Sequence, residues 1–111
     1  MTKKVIMLVC SAGMSTSMLV TKMQDAAKAK NLDSEIFAVS ASDADNHIKN
    51  KKIDILLLGP QVRFMEKQFK EKLTPLGIPV AVINMSDYGM MNGANVLTDA
   101  EKLIKEYERG R

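Results

Sequence analysis

Two short runs, KVIMLV (Lys4–Val9) and IDILLL (Ile53–Leu58), most constrain what this chain can fold into. A strand with one face in water alternates apolar and polar side chains. A nearly unbroken apolar run has both faces covered, as in the centre of a parallel sheet. Parallel neighbours cannot be joined by a hairpin; each connection must cross over the sheet, usually as a helix. Two further strand candidates are SEIFAV (Ser34–Val39), whose alternation suits an outer strand, and VAVI (Val80–Ile83), a third core strand.

The segments between the strands carry helical spacing. Met18, Leu19, Met23, Ala26, Ala27 and Lys30 mark a first helix that fades near KNLD. Ala41, Ala44 and Ile48 share a face of a short second helix, with Ser42 and Asp45 resembling a capping box. Val62, Met65, Phe69 and Leu73 mark a third, with Pro60 at or just before its start and TPLGIP as its end. Val96, Ala100, Leu103, Ile104 and Tyr107 mark a terminal helix starting within Asn92–Asn95; Thr98 and Glu101 also match a capping box. NMSDYGMMNG (Asn84–Gly93) reads as a polar loop.

This βα alternation predicts an α/β fold in a single domain, residues 1–111. The expected sheet is open and parallel, with four strands in the flavodoxin-like (Rossmann-like) order 2-1-3-4 and helices on both faces. Strands one and three, the most apolar, take the centre. In such sheets ligands bind beyond the carboxyl ends of the strands, where the winding direction switches. Here that point lies between strands one and three, beside Cys10 and Gly59-Pro60-Gln61.

Composition removes several functions. With 16 basic and 13 acidic residues the net charge is +3, and the lysines are scattered along helical stretches. Nucleic-acid readers cluster such charge among stacking aromatics, whereas this chain has no Trp, three Phe and two Tyr. No nucleic-acid partner is therefore expected. A single cysteine excludes an intramolecular disulfide and a Cys-x-x-Cys redox couple. The longest apolar run, VIMLVC, is far short of the roughly 20 residues of a membrane span. MTKK has the charge of a signal peptide but runs into a short apolar stretch with no cleavage pattern, so a cytoplasmic location is expected. His47, the only histidine, has no acidic or thiol partner nearby in sequence and reads as a surface or satisfied side chain. No metal site and no cofactor are expected, and neither a dinucleotide-binding nor a Walker loop occurs.

The remaining chemistry sits in CSAGMSTS (Cys10–Ser17). A strand that turns through small residues into a helix presents free backbone N–H groups and the positive end of the helix dipole, which together bind anions. Gly13 permits a tight turn; Ser11, Ser15, Thr16 and Ser17 add hydroxyls, and either Ser15 or Thr16 caps the helix. The same field favours the thiolate, the nucleophilic form of cysteine. A thiol at the strand end can also be a buried small hydrophobe with no chemistry. A tyrosine-phosphatase-like loop would carry an arginine where this chain has Thr16. Lacking that clamp and an evident water-activating base, Cys10 suits holding a phosphoryl group and passing it on. Met14 and Met18 flank the loop, either as an adaptable docking rim or as loop filling and core respectively. Gln61 either reaches the phosphoryl site or only solvates the start of the third helix.

CSAGMSTSMLV, together with LLLGPQV after the third strand, closely resembles the EIIB component of the phosphoenolpyruvate-dependent sugar phosphotransferase system (PTS), lactose/cellobiose-type family, cellobiose/chitobiose branch. The resemblance spans essentially the whole chain. It implies a phosphotransferase with a phosphocysteine intermediate at Cys10 and a phosphate-binding loop of Ser11, Ala12, Gly13, Met14, Ser15, Thr16 and Ser17, with Gln61 as a possible accessory. The implied partners are the EIIA component, whose phosphohistidine is the donor, and the membrane EIIC component, which holds the accepting sugar. The protein would be cytoplasmic, transiently at the inner face of the membrane. Asn84–Gly93 carries no family motif, leaving Asp87 and Tyr88 without an assigned role. Two alternatives stand beside this reading: a low-molecular-weight phosphatase-like enzyme, and a flavodoxin-like binding or regulatory module with an incidental thiol.

Overall fold

The computed structural model describes residues 3–10 and 14–109. Four parallel strands, β1 (Lys4–Cys10), β2 (Ser34–Ser40), β3 (Ile55–Leu58) and β4 (Val80–Val82), form one sheet in the order β2-β1-β3-β4. That is the order expected from the apolar runs, with β1 and β3 at the centre. Val9 pairs with Val39 on one side and Leu58 on the other, and Leu58 pairs with Val82. The carboxyl ends of the strands therefore end at one level.

The connections are α1 (Met14–Ala29), α2 (Ala44–Asn50), α3 (Glu66–Leu73), α4 (Met85–Gly89) and α5 (Gly93–Arg109), with short 3-10 turns before α2 and α3 and after α3. Side-chain alternation along the strands divides the interior into two layers. Ile6, Leu8, Ile55 and Leu57 meet Leu19 and Met23 of α1 and Leu97 and Ala100 of α5. Val5, Met7, Leu56 and Leu58 face Ala44 of α2 and Phe69 and Leu73 of α3. Both faces of the sheet are thus covered, which is why its central strands lack polar alternation.

Several local expectations need correction. β3 begins at Ile55 rather than Ile53; just ahead of it the Asp54 carboxylate accepts from the Val5 amide at 2.7 Å while the Asp54 amide donates to the Val5 carbonyl at 2.9 Å. Ser42 does not cap α2; its hydroxyl pairs with that of Ser40, and Ala41–Asp43 forms a 3-10 turn. Val62 and Met65 belong to the 3-10 segment Pro60–Met65, with α3 starting only at Glu66. By contrast α5 starts at Gly93, within the expected Asn92–Asn95, with Asn92 accepting from the Asn95 amide, while Thr98 lies inside the helix and donates to the Ala94 carbonyl. Met18 is 59% exposed, not core. The segment read as a polar loop contains α4, started by the Asn84 side chain accepting from the Asp87 amide.

Candidate functional site

Cys10 ends the central strand β1, and α1 begins at Met14. The thiol is buried, and Sγ lies 4.0 Å from the Val39 carbonyl oxygen of β2. Ser11, Ala12 and Gly13 lie outside the described residues, and the side chains of Met14 and Ser15 do likewise. Ser17 is exposed on α1, where its carbonyl accepts from the Thr21 hydroxyl.

Thr16 differs from the cap expected at its position. Helix α1 starts two residues earlier, which places Thr16 within the first turn, where its side chain turns inward. It is 0% exposed, and its Oγ1 lies 3.0 Å from the Tyr88 hydroxyl. Tyr88, 8% exposed, comes from α4 and packs its ring into the α1/α5 layer. Its hydroxyl also accepts from Gln61 Nε2 at 2.9 Å. Beyond solvating the start of the third helix, the Gln61 amide joins a chain Gln61–Tyr88–Thr16. Three connections that follow β1, β3 and β4 thereby meet at one hydrogen-bonded point. No spacing in the sequence links these positions. The available signal was the one aromatic residue in Asn84–Gly93.

Gly59 makes room for this arrangement. Its φ of −63° is open to any residue, so conformation does not require glycine here. A Cβ there would stand 2.6 Å from Gln61 Oε1, the movable end of an exposed side chain, and 3.7 Å from Tyr88 Cε2, so it would displace Gln61 rather than the backbone. Asp87, the neighbour of Tyr88, is engaged elsewhere, accepting from Asn95 Nδ2 at 3.2 Å. His47 is half-buried beside Phe37, with ring centroids 5.5 Å apart, on the opposite layer from Thr16 and Tyr88. A cleft of about 400 Å³ between β4 and α5, lined by Ala81, Ile83, Asp99, Lys102 and Glu106, shares no residue with the Cys10, Thr16, Tyr88 and Gln61 group. Among the described residues, no helix is long and apolar enough to cross a membrane.

Residues 5–99 match the family model for the PTS system, lactose/cellobiose specific IIB subunit. The chain belongs to this family. Components of this type are phosphotransferases, and Cys10 and Gln61 therefore lie within a phosphotransferase subunit. A galactose-specific EIIB component of Lactococcus lactis subsp. cremoris is 52% identical over 107 residues, covering 94% of this chain and 99% of that protein. A cellobiose-specific EIIB component of Lactococcus lactis subsp. lactis shows the same identity and coverage. An oligo-beta-mannoside-specific EIIB component of Bacillus subtilis is 39% identical, covering 91% of this chain and 96% of that one. Among solved structures, the cellobiose-specific IIB component of Borrelia burgdorferi superimposes with a TM-score of 0.77 at 40% identity, covering 96% of this chain and 95% of that chain. The lactose-specific IIB domain of Streptococcus pneumoniae gives 0.78 at 15% identity over 91% of this chain and 97% of that one, a likeness of fold alone.

Proposed function

We propose that this EIIB component carries its phosphoryl group on Cys10 and hands it from an EIIA partner to a sugar held by a membrane EIIC partner. In the first step the Cys10 thiolate attacks the phosphorus of an EIIA phosphohistidine; the S–P bond forms as the N–P bond breaks, and the histidine nitrogen leaves with the electron pair. In the second, a sugar hydroxyl oxygen attacks the same phosphorus, the S–P bond breaks, and the thiolate is restored while the hydroxyl proton is lost to base. The observation that carries the reading is the place of Cys10, at the carboxyl end of a central strand and just ahead of a helix N-terminus at the switch point of the sheet. Ser11 to Ser17 are the segment that would hold the phosphoryl oxygens, with Thr16 in the position where a phosphatase carries arginine.

Exposed Met18, Phe64, Met85 and Met90 all lie on segments leaving strand carboxyl ends, and they supply an adaptable apolar rim for two successive partners. The sugar proposed is a β-linked disaccharide such as cellobiose or chitobiose. The equal identity to galactose- and cellobiose-specific relatives fits a division of labour in which the EIIC partner selects the sugar. The chain would then work as one domain, residues 1–111, in the cytoplasm and at the inner face of the membrane.

The test is incubation with phosphoenolpyruvate, the general phosphotransfer proteins and an EIIA component, followed by intact-mass and peptide analysis. Phosphate is expected on Cys10, absent in Cys10→Ala and reduced in Thr16→Ala. Labelling that persists in Cys10→Ala overturns the proposal.

A further inference from the structure

We infer that Tyr88 is a positioning residue for phosphoryl transfer, acting through Thr16; this rests on the reading of Cys10 as the phosphoryl carrier. The direction of the hydrogen-bonded chain carries the inference. The Gln61 Nε2 group only donates, so the Tyr88 oxygen is an acceptor at 2.9 Å. The phenolic proton is then available to Thr16 Oγ1, 3.0 Å away in a buried setting, and we assign Tyr88 as the donor of this pair. A hydroxyl that accepts one hydrogen bond keeps its own hydrogen to donate. Thr16, in the first turn of the helix that follows Cys10, thereby keeps its own hydroxyl hydrogen for the phosphoryl group that Cys10 is proposed to carry.

The chemistry of the loop gives this a purpose. Without an arginine at position 16, charge on the transferring group must be met by neutral donors. A neutral O–H is a better donor when its oxygen already accepts a hydrogen bond, and a fixed acceptor removes the rotor freedom that would otherwise scatter its direction. Gln61 and Tyr88 reach Thr16 from the connections after β3 and β4, so the donor is set by parts of the fold remote from it in sequence. A Tyr88 hydroxyl that only satisfied buried Thr16 would affect stability and leave the transfer rate unchanged.

Single-turnover transfer from a phosphorylated EIIA component, measured across donor concentrations alongside the thermal midpoint, tests this. Tyr88→Phe is expected to lower the rate at saturating donor by roughly 10-fold with the half-saturating concentration unchanged, less than the roughly 100-fold or more for losing a direct donor. Thr16→Val is expected to lose at least as much, and Thr16→Ser, which keeps the hydroxyl, several-fold less. Gln61→Ala, at an exposed side chain, is expected to fall about 3-fold, because Tyr88 can still donate. The double variant Tyr88→Phe with Thr16→Val is expected to be no slower than Thr16→Val alone. A wild-type rate in Tyr88→Phe, or losses that multiply in the double variant, overturns the inference. Where Tyr88→Phe does not fold, a wild-type rate in Gln61→Ala overturns it instead. Wild-type protein that takes no phosphate on Cys10 overturns the proposed function and this inference together, whereas normal labelling with an unaffected Tyr88→Phe overturns only the latter.

Discussion

At Gly59, the missing side chain leaves Gln61 the room to reach Tyr88. The backbone there is ordinary, so alanine fits the conformation, but its Cβ would press on Gln61 Oε1 at 2.6 Å. That atom ends a flexible side chain, so Gln61 swings away and Tyr88 loses its donor. Gly59→Ala is expected to change unfolding free energy by no more than ~1 kcal/mol, as read by denaturant titration, while transfer slows to the level of Gln61→Ala. Tyr88→Phe is expected to lose stability as well as rate. It leaves Thr16, 0% exposed, without its acceptor or donor in Tyr88, and is expected to cost about 1–2 kcal/mol in the same titration. Both residues were visible in the sequence, yet their link was not. Tyr88 is 72 positions from Thr16 and 27 from Gln61, and hydrogen bonding between such positions leaves no periodic trace.

Among the elements, α5 shows most clearly where a helix must start. Asn92 caps it, and Gly93 is its first residue, packed so closely on α1 that a Cβ would lie 2.4 Å from the Lys22 carbonyl carbon and 2.5 Å from the Met23 amide nitrogen. Backbone atoms cannot give way cheaply, so Gly93→Ala must push α5 from α1. A loss of about 1–3 kcal/mol or more is expected in thermal or denaturant unfolding. Gly89 in α4 has nothing within 4 Å of its own Cβ position, and Gly89→Ala is expected to be neutral or stabilising by up to ~1 kcal/mol. The contrast between two glycines four positions apart separates close packing from intrinsic helix preference. The start of α5 could be placed from its apolar stripe, whereas α4 could not. Five residues hold too few apolar positions to show a period, and only Tyr88 among them is buried.

At the scale of the whole molecule, two apolar layers hold the fold and surface charge contributes little. Leu8, wholly buried between β1 and the α1/α5 layer, is expected to cost about 2–5 kcal/mol when replaced by alanine. The ion pairs among the described residues, such as Lys30 with Glu101 and Lys4 with Glu108, all retain solvent access on both partners. Lys30→Ala is accordingly expected to shift unfolding by less than ~1 kcal/mol, with the difference shrinking as salt is raised.

Strand order, the covering of both sheet faces and the place of Cys10 at the switch point were all fixed by local composition. Unbroken apolar runs report burial on two faces, and parallel pairing forces the crossovers that set the topology. The motif around Cys10 identified the family because its residues are contiguous. Only the folded chain decided that Thr16 turns inward instead of capping, that Met18 faces solvent, and that Gln61 and Tyr88 converge on Thr16. The physical reason is the same in each case. Burial periodicity is local to one element, whereas the partner of a buried polar group is chosen by whichever connections the sheet brings to the same end.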